Sequence, residues 1–221
     1  KLPHAIPNPA FEESIRKLLG MTQKQLDAVI DGREELPAHL TGMRKAAAEP
    51  DWKAAEKDRR TARSATATPT ADQAEAGNYK KGKFKWHGLT IVIENGKGTN
   101  RSKHGKDGKV WSKPMHADYG FVLGFTCDAD GDAPDVYLGP DLSSRVVYAV
   151  DQANDKGKFD ETKYMVGYDS KEDAEKGYLK HYPTDWKKTG RLMSVIELTV
   201  DQFKEWLREW NTAKQVSGQR I

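Results

Sequence analysis

One cysteine, Cys127, in 221 residues leaves no internal disulfide to form, which fits a reducing compartment. No run approaches 18 apolar residues, so no membrane-spanning helix is expected, and no signal-peptide pattern opens the chain. Neither charge dominates. Against 33 Asp and Glu stand 36 Lys and Arg, a net +3 too small to imply nucleic acid by itself. No Ser/His/Asp or Cys/His arrangement is readable, and the six histidines show no metal-type spacing. An initiator Met is absent too, and Lys1 leads us to expect a processed product or a piece of something longer.

What is present divides into two parts. Phe11, Ile15, Leu18 and Leu19 recur at helical spacing before Gly20. Thr22 and Gln25 form a capping-box pattern before Leu26, Val29 and Ile30, and a third helical stretch covers about 50–63. Residues 64–77 are small and polar with nothing large to bury, so they read as a linker. The expected organisation is a helical docking segment, 1–63, a linker, 64–77, and a domain, 78–221. The helices are short enough to need a partner surface, which leads us to expect self-association or a protein partner through 1–63.

After residue 78 the period changes to two. Strands are expected at 89–94, 136–138, 145–150, 164–168 and 191–198, with a Gly- and Lys-rich hairpin or loop at 95–109. Ser170 caps one helix, and Thr199 with Gln202 opens another carrying Phe203, Trp206, Leu207 and Trp210. The fold class expected is mainly β with peripheral helices, α+β, around a small barrel. Five basic residues in 95–109 suit a polyanion or solvent alike, so nucleic acid is left open.

The densest chemistry is Asp128-Ala-Asp130-Gly-Asp132-Ala-Pro-Asp135, four carboxylates in eight residues. Carboxylates so close repel and call for a cation or for solvent. Oxygen donors suit Mg²⁺, Mn²⁺ or Ca²⁺. An acidic turn reads equally from Asp-Gly and Pro-Asp. A calcium loop of EF-hand type fits less well, because Ala133 and Gly139 stand where Gly and Glu are required.

The surroundings of this cluster resemble the family I soluble inorganic pyrophosphatases. The motifs are Ile91-Val92-Ile93-Glu94, Tyr119-Gly120-Phe121-Val122, Asp130-Gly-Asp132-x-x-Asp135, Val150-Asp151-Gln152 and Phe159-Asp160-Glu161-Thr162-Lys163. With Gly77-Asn-Tyr-Lys-Lys-Gly82 and Asp201-Gln-Phe-Lys-x-Trp-Leu207 they look closest to the pyrophosphatase-like module of phage and mobile-element polyvalent proteins. The resemblance covers about 77–210. It implies an OB-like five-stranded barrel, Mg²⁺ or Mn²⁺ as cofactor, and pyrophosphate or a related phosphoanhydride as substrate. It also implies a cytoplasmic place in a bacterial host or an association with virions. Residue by residue, it implies metal ligation by Glu94, Asp130, Asp135, Asp151 and Asp160, and Asp132 as general base. Tyr119, Lys163, Arg101, Lys103 and Tyr182 would contact phosphate oxygens.

There are departures. Ala133 displaces the usual Pro to 134, Gly105 stands where an acidic residue is expected, and Pro183 follows Tyr182 in place of Lys. An Arg before the Tyr-Gly segment is missing, so Lys109 or Lys113 would serve, and Asp155 competes with Asp151 as ligand. Two readings follow: a divalent-metal-dependent pyrophosphate hydrolase, or a pyrophosphatase-derived interaction module of weak or lost activity.

Overall fold

The computed structural model describes residues 22, 24–25, 52–105, 107–126, 132–209 and 216–217. The helices expected upstream of residue 50, beyond the turn at Thr22, lie outside these residues, as does Trp210. At that turn the capping box forms: Thr22 N–H donates to Gln25 Oε1 at 2.9 Å, and Gln25 N–H to Thr22 Oγ1 at 3.3 Å. The chain separates into compact units at 1–49 and 50–221. The second unit is described below.

It opens with α1 (Trp52–Ala65) and α2 (Ala71–Ala76). Nine strands follow: β1 (Gly82–Trp86), β2 (Leu89–Asn95), β3 (Asn100–His104), β4 (Val110–Pro114), β5 (Asp118–Leu123), β6 (Asp135–Leu138), β7 (Val146–Ala153), β8 (Phe159–Val166) and β9 (Leu192–Thr199). Between β8 and β9 lies α3 (Lys171–Leu179), and α4 (Val200–Glu209) follows β9. Ser170 caps α3 through Asp173 N–H, and Thr199 with Gln202 makes the box ahead of α4, as the sequence pattern requires.

Seven strands form one mixed sheet in the order β1-β2-β5-β6-β8-β7-β9, and β3 with β4 forms a separate two-stranded ribbon. Among the described strands only β6 and β8 pair in parallel. The α+β class stands, but the five-stranded barrel does not: the sheet is longer and does not close. The outer side of β1 is taken by α1 rather than by β9. A Cβ on Gly82 would fall 2.0 Å from the Ala62 carbonyl oxygen, so only glycine permits that approach. Gly82 N–H, an edge donor, is satisfied by Thr66 Oγ1 at 3.0 Å.

Both sheet faces are covered. Ile91, Ile93, Val136, Ala149 and Val166 pack on one face with Phe203 and Trp206 of α4 and with Ala62 of α1. Tyr137, Tyr148, Val150 and Met165 pack on the other with Ala174 and Tyr178 of α3. Trp206 is fully buried and donates Nε1–H to Tyr164 Oη at 2.7 Å.

The structure differs from a boundary near residue 77. Residues 64–77 hold the end of α1 and all of α2, whose Thr70 and Gln73 form a capping box of their own. Their small side chains hid an anchor that is polar. Arg63 forks onto Asp118 through Nε and Nη2, both at 2.6 Å, and Arg59 Nη1 donates to the Gly139 carbonyl at 2.6 Å. Asp118 also accepts Lys97 N–H at 2.7 Å and is 1% exposed. A chain starting at residue 78 strands that carboxylate. It should lose at least about 3 kcal/mol, the lower range for breaking a buried ion pair, relative to one starting at residue 50. Urea titration of the two chains checks this.

Candidate active site

Strand pairing decides which side chains meet. Val136 lies opposite Tyr164 and Tyr137 opposite Met165. Side chains alternate along a strand, so Asp135 and Tyr137 of β6 share a face with Glu161, Lys163 and Met165 of β8. The pairs Tyr119–Tyr137 and Phe121–Asp135 bring Tyr119 and Phe121 of β5 to that same face. Gly120 between them has no alternative, since a Cβ there would sit 1.8 Å from the Val92 carbonyl oxygen of β2.

This face lines a cavity of about 760 Å³ whose opposite wall includes the β3–β4 ribbon. Arg101 and Lys113 are cross-strand partners there, and Lys103 faces Trp111 one step further along. All four line the cavity. The ribbon supplies cations, and from the sheet come Lys163 and the carboxylates Asp135 and Glu161.

Lys163 sits between them, its side chain 6% exposed. Its ammonium donates to Asp135 Oδ2 and to Glu161 Oε2. Burial alone would lower its pKa, but Tyr119, Asp135 and Glu161 outweigh burial and hold it well above the ordinary lysine range. Burial pushes the Glu161 carboxyl up, against the pull of Lys163. Tyr119 Oη donates to Asp135 Oδ2 at 2.7 Å, and burial raises its pKa well above the usual value, so it stays a donor. The Arg101 guanidinium carbon lies 4.4 Å from the Tyr119 ring centroid.

Gln152, on the cavity side of β7, is satisfied at both ends. Its amide N–H groups donate to Glu161 Oε1 at 2.6 Å and Asp160 Oδ2 at 3.2 Å. Its Oε1 accepts from Tyr178 Oη at 2.8 Å and Tyr182 Oη at 3.2 Å. The two hydroxyls fix the amide's orientation, and the amide aims Glu161.

Of the residues proposed from sequence, Glu94, Arg101, Lys103, Tyr119, Asp132, Asp135, Lys163 and Tyr182 all line this cavity. Asp130 lies outside the described residues. Asp151 does not join them. It is fully buried on the opposite face, accepting from Thr162 Oγ1 at 2.7 Å, Ser194 Oγ at 2.8 Å and the N–H groups of Val216 and Ser217. Asp160 is exposed beside the cavity, and Asp155 is exposed and pairs with Arg191. For Asp151 the difference is a one-residue slip in a period-two strand, with Gln152 pointing where it was expected, while on β8 Glu161 lines the cavity with Asp160 beside it at an irregularity of the β7–β8 ladder. The signal was available, because a residue sharing a strand face with Lys163 must lie two away, at Glu161. Lys113, expected as a stand-in for the missing arginine, is on the cavity wall, whereas Lys109 does not line it.

Among the described residues no three His, Cys, Asp or Glu side chains form a ready cluster for a metal ion. A family model described as Inorganic Pyrophosphatase matches residues 71–208. The chain belongs to the inorganic pyrophosphatase family. The span matched by this pyrophosphatase model contains the whole sheet, the ribbon and every cavity residue named above, and it leaves α1 outside. No curated protein sequence is matched.

Lys113 gives the cavity a pH dependence. Burial, then Arg101 and Lys163, lower its pKa to about 8. Its charge is present below that pH and lost above it. Affinity for inorganic phosphate should therefore fall by about tenfold as pH rises through 8, the loss of one charge-assisted hydrogen bond. Lys113→Arg, charged throughout, should abolish that limb in a calorimetric titration from pH 7 to 9.

Proposed function

We propose that this cavity binds pyrophosphate, or a related phosphoanhydride, together with a divalent cation and hydrolyses it. The observation that supports the reading is the joining of oxygen donors with one buried and two half-buried cations in one cavity inside the matched span. Asp132, Asp135, Glu161 and Glu94 line it together with Arg101, Lys113 and Lys163.

The donor chemistry fits a hard cation, since these are carboxylate oxygens without thiolate or imidazole among them. Asp135 engages both Lys163 and Tyr119 through Oδ2, which leaves Oδ1 as the oxygen to offer a cation. Asp135 and Glu161 would hold Mg²⁺ or Mn²⁺, and Asp130 belongs to the same sequence motif as Asp135. Bound there, a divalent ion supplies an acidified water and a clamp on phosphate oxygens.

The remaining work falls to the chain's own side chains. Asp132 takes the proton of the attacking water. Arg101 and Lys113 bind phosphate oxygens, and Lys163 adds positive charge beneath them as the leaving phosphate gains negative charge. Tyr119 orients Asp135, and Tyr182 stands between Gln152 and the substrate. The motif order that resembles polyvalent-protein modules supports a phage or mobile-element origin. A second reading, binding without turnover, draws on Gln152, a neutral amide where another carboxylate would strengthen a metal site.

Purified chain should release phosphate from pyrophosphate with Mg²⁺ and cease with chelator, read by a colorimetric phosphate assay. No release above background with Mg²⁺, Mn²⁺, Zn²⁺ or Co²⁺ would leave only the binding reading. Asp132→Asn should lower turnover by about a hundredfold or more while metal affinity largely survives. Normal turnover in that variant would remove Asp132 from the role of base.

A further inference from the structure

Four buried side-chain polar atoms among the described residues have no hydrogen-bond partner. They belong to Glu56, Arg59, Asn95 and Tyr137. Of these residues Asn95 alone lines the cavity. It is 4% exposed, and the atom without a partner is its amide nitrogen Nδ2. Buried polar groups in folded proteins are nearly always paired, so one left unpaired beside a binding cavity calls for an explanation.

The backbone shows how Asn95 comes to be there. The β2–β5 pairing runs in register from Thr90–Leu123 to Ile93–Gly120, then shifts, so that Asn95 faces Tyr119. The extra residue of this bulge is Glu94. The bulge turns both Glu94 and Asn95 toward the cavity, where strict alternation would send one of them into the core. The chain just beyond is pinned, since Lys97 N–H donates to Asp118 Oδ1 at 2.7 Å. Asn95 is therefore presented by a rigid segment, beside the tyrosine that orients Asp135.

We infer that Asn95 is a substrate-binding residue that donates its amide N–H to a phosphate oxygen of the bound phosphoanhydride. The inference rests on the phosphate-binding half of the reading above. No hydrogen bond within the described residues holds the amide in either sense, and a half-turn about χ2 exchanges its two ends. The N–H pair can thus swing onto a ligand oxygen without breaking an existing bond. The ligand class follows from the neighbours. Arg101, Lys113 and Lys163 make the cavity attractive to an anion, and a phosphate oxygen is an acceptor that an amide donor satisfies.

The opposite use, with Oδ1 ligating a cation, is separated by one substitution. Asn95→Asp keeps an oxygen for a cation and deletes the donor. Asn95→Leu deletes both at similar volume. The full chain and both variants are titrated with imidodiphosphate, a non-hydrolysable pyrophosphate analogue, by calorimetry in Mg²⁺. Each is also melted without Mg²⁺ and assayed for pyrophosphate turnover. Asn95→Leu should weaken imidodiphosphate by about tenfold, one hydrogen bond to a charged group. Its melting temperature should equal or exceed that of the parent, because the side chain removed has no partner in the free protein. Asn95→Asp should weaken the analogue further.

Unchanged affinity in Asn95→Leu, tighter binding in Asn95→Asp, or a loss of affinity in Asn95→Leu matched by a collapse in melting temperature would each overturn the inference. A chain that binds the analogue through Asn95 yet releases no phosphate retires the hydrolase reading and keeps this one. Unimpaired binding and turnover in Asn95→Leu retires this one alone. A parent chain that neither binds nor hydrolyses retires both.

Discussion

A buried ammonium cannot remain charged without partners, and the site is organised around meeting that condition for Lys163. Taking such a charge out of water costs several kcal/mol unless opposite charges surround it closely. Asp135 comes from β6 and Glu161 from β8 itself, while Tyr119 braces Asp135 from β5. Three neighbouring strands must therefore hold their register together. A slip of one residue in any of them would turn its contribution onto the other face and leave the ammonium uncompensated.

The same requirement explains the second layer of contacts. Gln152 is held by two tyrosine hydroxyls and in turn holds Glu161. Tyr178 accepts Trp186 Nε1–H at 3.0 Å, so the chain of hydrogen bonds runs from the loop after α3 to the carboxylate. On the far side of the sheet, Asp151 is held as tightly by Thr162, Ser194 and two backbone N–H groups. It fastens Val216 and Ser217 to β7. Asp151 and Glu161, ten sequence positions apart across one turn, thus serve opposite faces, one structural and one lining the cavity.

Much of this was legible in the sequence. The capping boxes at Thr22 and Thr199, the Ser170 cap and the β character after residue 78 follow from local patterns that the structure repeats, and eight residues that the family resemblance singled out line the cavity. What escaped were features set by tertiary contact. The stretch 64–77 has no large apolar residue, yet Arg59 and Arg63 bind α1 to Asp118 and Gly139, and no periodicity announces a polar anchor. Asp151 and Asp160 were singled out because they are acidic and follow the expected motif. Burial direction in a strand depends on register, and register emerges only when β7 and β8 pair. Asn95 has no sequence signal beyond its place after Glu94, because the bulge that turns it inward is a property of the β2–β5 ladder.

The parallel pairing of β6 with β8 has a kinetic consequence. Every other pairing in the main sheet is antiparallel, whereas this one joins Asp135 to Lys163 across 28 positions with β7 and its turns intervening. Contacts of such sequence separation demand loop closure before they return any stabilisation, and they form late. The carboxylates and the ammonium therefore meet only once β8 has docked beside β6. A chain in which β6 and β8 have not yet paired carries all the same side chains but concentrates no charge at one point, so it has little hold on metal or phosphate until that register is set.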